Sequence, residues 1–452
     1  MSALVSKFTP LLRYPNWPAL TALLLTFVLM VAANPARASA NSDALLAATR
    51  SDDSRFIVLA VANDSVTAMV RTGGTPRAYG GGSDYAVSDA ARRSLRALAA
   101  QYRLQSVAAW PIALLHMQCA VFAIPEGAVR AQLLAQLQSD RRVSLAEPLN
   151  TYALQSAAAP ATAAEAPAAG DTNAELQAGN ERMSIGAAHR LATGRGIRIA
   201  LVDTGIDSSH PDLRGRIEAQ RNFVDRDQQQ FQRDRHGTAV AGVLAANAGG
   251  SKGMVGVAPE AQLLALKACW QLEQGRDEAR CNSFTLAQAL ASAVDLHAQI
   301  INLSLTGPPD PLLAALAQQA MRKGIVIVGP GATAPSFPGG IAQVLSVARS
   351  EDRDVAAGML QAPGRDVLTL VPGGQYGFSS GSSISTAEIS GVAALLLSRD
   401  ARLDAAHLQR LLQDASDSRD TSSGPNRSVN ACHAVASLMA GADCGALTAQ
   451  TH

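Results

Sequence analysis

The sequence is poor in aromatic residues, net charge and cysteine, and each shortage excludes a class of protein. Phe, Trp and Tyr make up 4% of the 452 residues, so a buried core must rest on Ala, Leu, Val and Ile. The 38 basic and 37 acidic residues leave a formal net charge of +1. That balance gives no electrostatic case for binding nucleic acid or an anionic membrane. Five cysteines are too few for a small, disulfide-dense protein.

Apolar residues, by contrast, are plentiful. Hydrophobic residues make up 48% of the chain and charged residues 17%, which excludes disorder throughout and allows a large core. The length is typical of roughly two to four domains. After the N-terminal region we predict no further membrane-spanning helix, which would need ~20 predominantly apolar residues.

The N-terminus has the pattern of an export signal. Lys7 and Arg13 precede an apolar run over residues 18–33, and small-x-small triplets follow at 36–40. The run is short for a bilayer span of ~20 residues, although an uncleaved anchor helix is the alternative. We predict a signal peptide over residues 1–38 and an exported protein, periplasmic or extracellular, with no stable membrane insertion after signal removal.

In an exported protein the cysteines can form disulfides. Cys269 and Cys281 bracket one short polar stretch, and Cys432 and Cys444 bracket another. Four cysteines allow three pairings, of which the local one, Cys269 with Cys281 and Cys432 with Cys444, closes the shortest loops. Cys119 lies in a hydrophobic segment and is left over, which favours a buried small side chain over a reactive thiol.

The region before residue 155 has its own pattern of elements. Strand and helix signals alternate in the order β-α-β-β-α-β, the split βαβ arrangement. A Gly-rich stretch at 73–82 is interpreted as a flexible connection, and the Ala/Pro-rich stretch at 155–174 as an exposed linker. The predicted elements are strands at 56–62, 105–110, 114–124 and 142–146 and helices at 89–101 and 127–137.

After the linker, short apolar runs alternate with helical patterns. This alternation predicts a parallel sheet covered by helices on both faces. Ligands of such sheets bind at the carboxyl ends of the strands, where catalytic residues are therefore expected. The predicted strands are 197–202, 263–268, 300–305, 325–328 and 344–348, and the predicted helices are 238–246, 285–297, 312–322 and 388–398.

Three short motifs carry residues suited to nucleophilic catalysis. They are Asp203-Thr-Gly at a strand end, His236-Gly-Thr at a helix start, and Gly381-Ser-Ser383 leading into another helix. A serine hydroxyl needs a base within hydrogen-bond reach, and the base needs a carboxylate to orient it. The helix start also favours developing negative charge near Ser383. Each motif alone is weak evidence, whereas the three together point to one site.

In that chain order the motifs resemble those of the subtilisin-like serine peptidases, or subtilases. The resemblance covers roughly residues 185–416. It implies that Asp203 orients the base, that His236 is general base and then general acid, and that Ser383 is the nucleophile. It also implies an α/β fold with a parallel central sheet and helices on both faces, preceded by a small α+β, ferredoxin-like prodomain.

Secondary segments extend the resemblance to substrate binding. Residues 301–305 resemble the strand that this family pairs with substrate backbone, which makes Ser304, Leu305, Thr306 and Gly307 candidate substrate-binding residues. Thr306 stands where the family often has Gly. A side chain there would narrow the cleft, so we predict a preference for small or slim residues near the cut.

The N-terminal region resembles the family's inhibitory propeptide. That resemblance implies a zymogen whose own propeptide acts as folding aid and inhibitor, with a tail that covers the cleft after the last strand. An unrelated substrate-recruiting domain is the alternative. The predicted organisation is a signal peptide at 1–38, a propeptide-like domain at 39–154, the linker at 155–174 and a peptidase domain at 175–452.

The oxyanion-hole segment departs from the family pattern. Where the family has Ala-Gly-Asn, this chain places Ala332, and a one-residue shift would bring Thr333 to that position. The backbone N–H of Ser383 is the remaining donor. Loss of one donor in a subtilisin costs about 10²–10³ in turnover. The sequence therefore predicts a slow or specialised peptidase, and a catalytically impaired pseudopeptidase that binds peptides or proteins is the alternative.

No cofactor is required by these motifs. Calcium is common in the family, but no group of Asp, Asn and Glu here has diagnostic spacing, so no metal ligands are assigned. Ester cleavage is compatible with the same acyl chemistry. We expect peptide or protein substrates, no nucleic-acid partner and a monomer, since nothing in the sequence signals oligomerisation.

Overall fold

The computed structural model describes most of the two predicted domains. The predicted signal peptide, the Gly-rich stretch and the linker lie outside the described residues. No helix within the described ranges is both long and apolar enough to cross a membrane. Those ranges are 44–64, 87–154, 176–225, 227–247, 253–416, 428–442 and 444.

The N-terminal unit is a four-stranded antiparallel sheet. In sheet order its strands are β2 (Gln105–Ile112), β3 (Met117–Ala123), β1 (Phe56–Ala62) and β4 (Leu145–Pro148). The predicted strand at 114–124 starts late, because residues 113–115 form a 3-10 turn and His116 is left-handed, with φ 53°. The predicted strand at 142–146 is also displaced toward the C-terminus. The helices of this unit are α1 (Asp89–Tyr102) and α2 (Arg130–Gln138).

The second unit is built on a seven-stranded sheet in which every pairing is parallel. Along its central strand β6, Ile199 and Leu201 enter one hydrophobic core while Ala200 and Val202 enter the other. Burial on both faces explains the continuous apolar runs in the sequence. The strands, in sheet order, are β15 (Leu360–Ala362), β14 (Leu345–Arg349), β13 (Val326–Pro330), β11 (Ile300–Leu303), β6 (Arg198–Asp203), β8 (Gln262–Lys267) and β7 (Ile217–Asn222).

Helices cover both faces of this sheet, which confirms the predicted α/β class. Two predicted helices start earlier than their apolar patterns, at Arg235 instead of 238 and at Ser382 instead of 388, because their first turns carry polar site residues. The helices are α3 (Ala178–Arg182), α4 (Ile185–His189), α5 (Gln228–Arg233), α6 (Arg235–Ala245), α7 (Ser283–Asp295), α8 (Pro311–Arg322), α9 (Ser382–Arg399), α10 (Ala405–Ser416) and α11 (Ala431–Ala436).

A third sheet, with the order β12-β5-β10-β9, joins the two units, and a hairpin of β16 and β17 lies apart from it. The face of β1 opposite α1 shares a core with α7 and α8, where the Trp110 ring meets Phe284 edge-on at a centroid distance of 4.7 Å. These strands are β5 (Thr151–Leu154), β9 (Cys269–Gln271), β10 (Ala279–Asn282), β12 (Leu305–Thr306), β16 (Val367–Val371) and β17 (Gln375–Ser379).

Candidate active site

Asp203 is the last residue of β6 and lies at the carboxyl edge of the central sheet. Its side chain is fully buried. The backbone N–H of Thr204 donates to Asp203 Oδ1 over 2.7 Å. In turn, Thr204 Oγ1 accepts the N–H of Gly237, the residue after His236. The strand end is therefore fixed directly to the first turn of α6.

His236 lies in that first turn, with its ring directed at Asp203. Nδ1 is 2.8 Å from Asp203 Oδ1, and the imidazole is fully buried. Burial opposes the charged ring, but the Asp203 carboxylate, with a smaller contribution from Asp277, outweighs burial and raises the pKa of His236. The carboxylate therefore favours an Nδ1–H tautomer and stabilises the imidazolium.

Ser383 lies in the first turn of α9, with its Oγ 3.1 Å from His236 Nε2. The three residues come from a strand and two different helices, and the structure brings all of them together. The N-terminus of an 18-residue helix adds a positive dipole end beside the hydroxyl. This order of contacts lets the imidazole take the hydroxyl proton as Oγ attacks a carbonyl carbon.

A buried polar chain behind the nucleophile escaped the sequence reasoning. Ser390, two turns along α9, donates to Asn302 Oδ1 over 2.8 Å, and Asn302 Nδ2 donates to Ser304 Oγ over 2.9 Å. Ser304 Oγ then donates to the backbone carbonyl of Ser383 over 3.2 Å. These contacts fix α9 against the end of β11. The polar Asn302 within an apolar strand run was the available signal.

A buried ion pair beneath His236 was also missed. Lys267 Nζ, at the end of β8, lies 2.5 Å from Asp234 Oδ2, and both side chains are buried. The same carboxylate oxygen accepts the backbone N–H of Gly205 over 2.8 Å. The pair thus connects the loop after Asp203 to the start of α6. A lysine at the end of an apolar strand was its signal in the sequence.

The structure places Ala332 and Thr333 beside the nucleophile's turn. Both line a groove of about 500 Å³ together with Gly381 and Ser382. Ala332 offers no side-chain donor to a developing oxyanion. The Thr333 side chain is exposed. Ser383 lies in the first turn of α9, where backbone N–H groups have no partner within the helix.

The predicted substrate-binding segment carries a strand of the chain itself. β5 runs antiparallel to β12, with Leu154 opposite Leu305 and Ala153 opposite Thr306. Its other edge pairs with β10, where Tyr152 lies opposite Cys281. The space between β12 and β10, where the family resemblance implies substrate binding, is thus occupied by residues just before the predicted linker.

Both local disulfides are present. Cys269 bonds to Cys281 across β9 and β10, and Cys432 bonds to Cys444. Each closes a separation of 12 residues, a length at which a disulfide stabilises a fold by about 3 kcal/mol. Cys119 is a free, buried thiol in β3, and burial raises its pKa strongly.

Within the described residues, no three or more His, Cys, Asp or Glu side chains are grouped to hold a metal ion. The calcium that is common in the resembling family therefore has no such side-chain cluster in that part of the chain.

The parallel sheet and the Asp203–His236–Ser383 contacts define an α/β protein with the side-chain set of a serine hydrolase. Residues 194–432 match the sequence model of the subtilase family. The chain therefore belongs to the subtilase family and is a subtilisin-like serine endopeptidase.

Curated relatives agree with this assignment. Thermitase from Thermoactinomyces vulgaris is 33% identical over 236 residues, covering 49% of this chain and 82% of thermitase. An intracellular serine protease from Paenibacillus polymyxa is 35% identical over 244 residues, covering 49% of this chain and 73% of the relative.

A solved structure extends the similarity of fold. Fervidolysin from Fervidobacterium pennivorans, described as a keratinolytic enzyme related to subtilisin, superimposes with a TM-score of 0.61 and 19% identity. The match covers 84% of this chain and 60% of fervidolysin. At that identity the comparison supports the fold and nothing finer.

Proposed function

We propose that this chain is an exported serine endopeptidase, made as a self-inhibited zymogen, with Asp203, His236 and Ser383 as its catalytic residues. The observation that carries the proposal is the position of His236, 2.8 Å from Asp203 and 3.1 Å from Ser383. A protein that only binds peptides has no need of this hydrogen-bonded series. Peptide or protein substrates follow from the family.

In the proposed reaction Ser383 Oγ attacks the scissile carbonyl carbon while His236 Nε2 takes the hydroxyl proton. The carbonyl oxygen becomes an oxyanion near the first backbone N–H groups of α9. Collapse breaks the C–N bond, and His236 gives its proton to the leaving amine. Water, deprotonated by His236, then attacks the acyl-enzyme and releases the acid and the free serine.

We propose a slow or specialised enzyme because Ala332 occupies the position at which the family has the oxyanion-binding Asn. Ala332 supplies no amide, and loss of one such donor costs about 10²–10³ in turnover. Enzymes typically accelerate their reactions by about 10⁶–10¹⁷-fold, so the remaining catalysis would still exceed the uncatalysed rate. An endopeptidase with restricted turnover is consistent with this geometry.

Three contacts support a zymogen. The N-terminal sheet packs on α7 and α8, and β5 lies between β12 and β10. Glu147, at the end of that sheet, accepts the N–H of Leu312 at the start of α8 over 3.4 Å. An intramolecular segment in a peptide cleft excludes other peptides until it is cut and released. We therefore assign residues 39–154 as the inhibitory propeptide and 175–452 as the peptidase, with maturation within 155–174.

Export is supported by the signal-like N-terminus at 1–38 and by two disulfides, which persist in oxidising compartments. We propose a periplasmic or extracellular monomer.

A pseudopeptidase that binds peptides is the second candidate, and Ala332 is the observation that favours it. Such a protein would keep the cleft between β12 and β10 but turn over little. Only the first candidate predicts an activated serine.

The test is the intact mass and N-terminal sequence of the exported chain, beside Ser383→Ala and the neighbouring control Ser382→Ala. We expect wild type and Ser382→Ala to lose the N-terminal region near 155–174 and to react with an organophosphonate. Ser383→Ala should lose only the signal peptide, keep residues 39–154 and stay unlabelled. If all three chains are cut alike and none is labelled, the endopeptidase proposal is wrong.

A further inference from the structure

The side chain of Tyr152 fills a closed pocket in the cleft. Tyr152 is 1% exposed, although it belongs to a short strand that lies on the surface of the second unit. Its ring meets the Phe337 ring edge-on at a centroid distance of 5.7 Å. A Cβ on Gly307 would come within 2.4 Å of Tyr152 Cδ1, so the glycine makes room for the aromatic ring.

The floor of this pocket is polar. Tyr152 Oη donates to Asp310 Oδ2 over 3.0 Å, and Ser283 Oγ donates to the same oxygen over 2.7 Å. Asn150 Nδ2 lies 3.1 Å from it. The phenol thus brings a hydrogen bond to a carboxyl group that is itself only 2% exposed.

Asp310 belongs to the peptidase part and keeps its place without β5. Its other oxygen, Oδ1, accepts the N–H of Leu313 over 2.9 Å and caps α8. Ser283, which begins α7, is likewise part of the peptidase. When the N-terminal region leaves, Asp310 loses the donors of Tyr152 and Asn150 together, and the pocket is left with an acceptor that a substrate can satisfy.

We propose that Asp310 and Gly307 make this pocket selective for tyrosine in the substrate residue that takes the place of Tyr152. An extended peptide that adds a strand between β12 and β10 gains affinity from its backbone, while pockets for alternate side chains give specificity. The Phe337 ring and the space left by Gly307 favour an aromatic side chain in the substrate. The buried carboxyl group of Asp310 favours an aromatic side chain that carries a hydroxyl. Opposite Thr306 the same strand has the small Ala153.

The expected selectivity follows from the cost of an unpaired buried acceptor. A site built to hydrogen-bond a substrate hydroxyl discriminates against the analogue that lacks it. A hydrogen bond to a carboxyl group corresponds to about ten- to one-hundred-fold in kcat/KM. A peptide with Phe at this position should therefore have a kcat/KM at least about ten-fold below that of the Tyr peptide. A peptide with Lys should also have a lower kcat/KM, because Lys lacks the ring.

The inference rests on the proposed function, so the first experiment uses the processed enzyme. Peptides with the sequence of residues 147–160 carry Tyr, Phe, Lys or Ala at the position of Tyr152. We expect the highest kcat/KM for Tyr. Asp310→Ser keeps a capping hydroxyl for α8 but is too short to reach the phenol, so the Tyr-to-Phe ratio should fall toward one. Asp404→Ser, which replaces the acceptor for His407 N–H at the start of α10, is the matched control and should keep the ratio.

Gly307→Ala provides a second variant. The added methyl should lower kcat/KM for both ring-bearing peptides relative to the Ala peptide. Casein digestion and organophosphonate labelling run in parallel. An enzyme that digests casein and is labelled but shows equal rates for Tyr and Phe, or prefers Lys, overturns the pocket assignment alone.

A second measurement does not depend on catalysis. In the uncut Ser383→Ala chain, amide hydrogen exchange at Ala153 and Leu154 reports how firmly β5 is held. Tyr152→Phe should speed this exchange about ten-fold, whereas Tyr102→Phe, which loses a hydroxyl contact to Asp140 elsewhere, should not. Unchanged exchange in Tyr152→Phe would overturn the inference even if the chain proves to be no peptidase.

Discussion

Ser304 Oγ donates a hydrogen bond to the backbone carbonyl of Ser383 over 3.2 Å. A residue of the predicted substrate-binding segment is thereby joined to the proposed nucleophile, and Asn302 continues the connection into the central sheet. In the proposed mechanism, this one buried polar chain would position both the substrate backbone and the attacking oxygen. The placement of the substrate strand and of the hydroxyl should therefore change together.

Replacing Ser304 with Ala tests this coupling. Asn302 would lose its acceptor in a buried site, which costs about 1–3 kcal/mol of unfolding free energy. We expect kcat as well as KM to worsen, about ten-fold in kcat/KM, because the first turn of α9 loses a support. Urea unfolding and peptide kinetics measure both effects. Ser398→Ala, at the far end of α9, is the control, and equal losses in the two variants would contradict the coupling.

Ala332 offers a gain-of-function test. Ala332→Asn places an amide in the loop that borders Ser382, and the restored donor should raise kcat by ten-fold or more, up to about 10²–10³. The control is Ala334→Asn, two residues further along the same exposed loop. Steady-state kinetics on one peptide substrate, with active sites counted by organophosphonate, gives the comparison.

An unchanged kcat in Ala332→Asn would mean that another group already serves the oxyanion. Thr333→Val then identifies it, since loss of that hydroxyl would lower kcat if Thr333 is the donor. If Thr333→Val also has no effect, the backbone at the start of α9 acts alone.

The acid limb of activity should reflect the raised pKa of His236. Burial lowers this pKa, but the Asp203 carboxylate more than compensates, and only the neutral imidazole can take the proton from Ser383. Labelling by organophosphonate should therefore decline as the pH falls through a midpoint above 6.5. In Asp203→Asn the midpoint should move to lower pH and the maximal rate should fall about 10⁴-fold.

Asp277 provides the graded control for this assignment. Asp277 also raises the pKa of His236, as the weakest of the contributions. Asp277→Asn should move the midpoint in the same direction by less than Asp203→Asn. A midpoint that stays fixed when Asp203 is changed would show that a different group titrates.

The sequence predicted which three residues come together better than it predicted the ends of the helices and strands. Asp203, His236 and Ser383 stand in motifs whose order is specific, and buried parallel strands leave continuous apolar runs. The predicted helix at 388–398 started six residues late. The first turns of α9, from Ser382 onward, are mostly polar and therefore lack the apolar periodicity from which the helix was predicted. The strand at 142–146 was displaced because its burial depends on pairing with β1, which lies some 85 residues earlier in the chain.

Long-range contacts were beyond the reach of local pattern. The strand β5 has four residues and pairs only with segments more than a hundred residues away, so nothing near Tyr152 signals it. The Lys267–Asp234 pair likewise joins two polar residues 33 positions apart. Both features depend on tertiary packing, which local propensity does not encode.

Glu388, which lies in α9 five residues beyond Ser383, should make the stability of the fold depend on pH. The carboxyl group is buried, and Oε2 has no hydrogen-bond partner among the described residues. Burial raises the pKa of Glu388 to about 8, while Arg182 opposes the shift. The folded protein thus holds a proton that the unfolded chain, with a pKa near 4.5, releases.

The sign of the effect follows from proton linkage. Between about pH 4.5 and 8 unfolding releases a proton, so wild-type stability falls as the pH rises and levels off above 8. Glu388→Gln removes the titration. Because one pKa unit corresponds to about 1.4 kcal/mol, the variant should gain on the order of 5 kcal/mol relative to wild type between pH 4.5 and 8. Thermal unfolding of the Ser383→Ala background across this range measures the gain. Glu218→Gln, at an exposed position of β7, is the control and should show no such trend. If the stability of wild type and of Glu388→Gln changes with pH in the same way, Glu388 does not titrate in this interval.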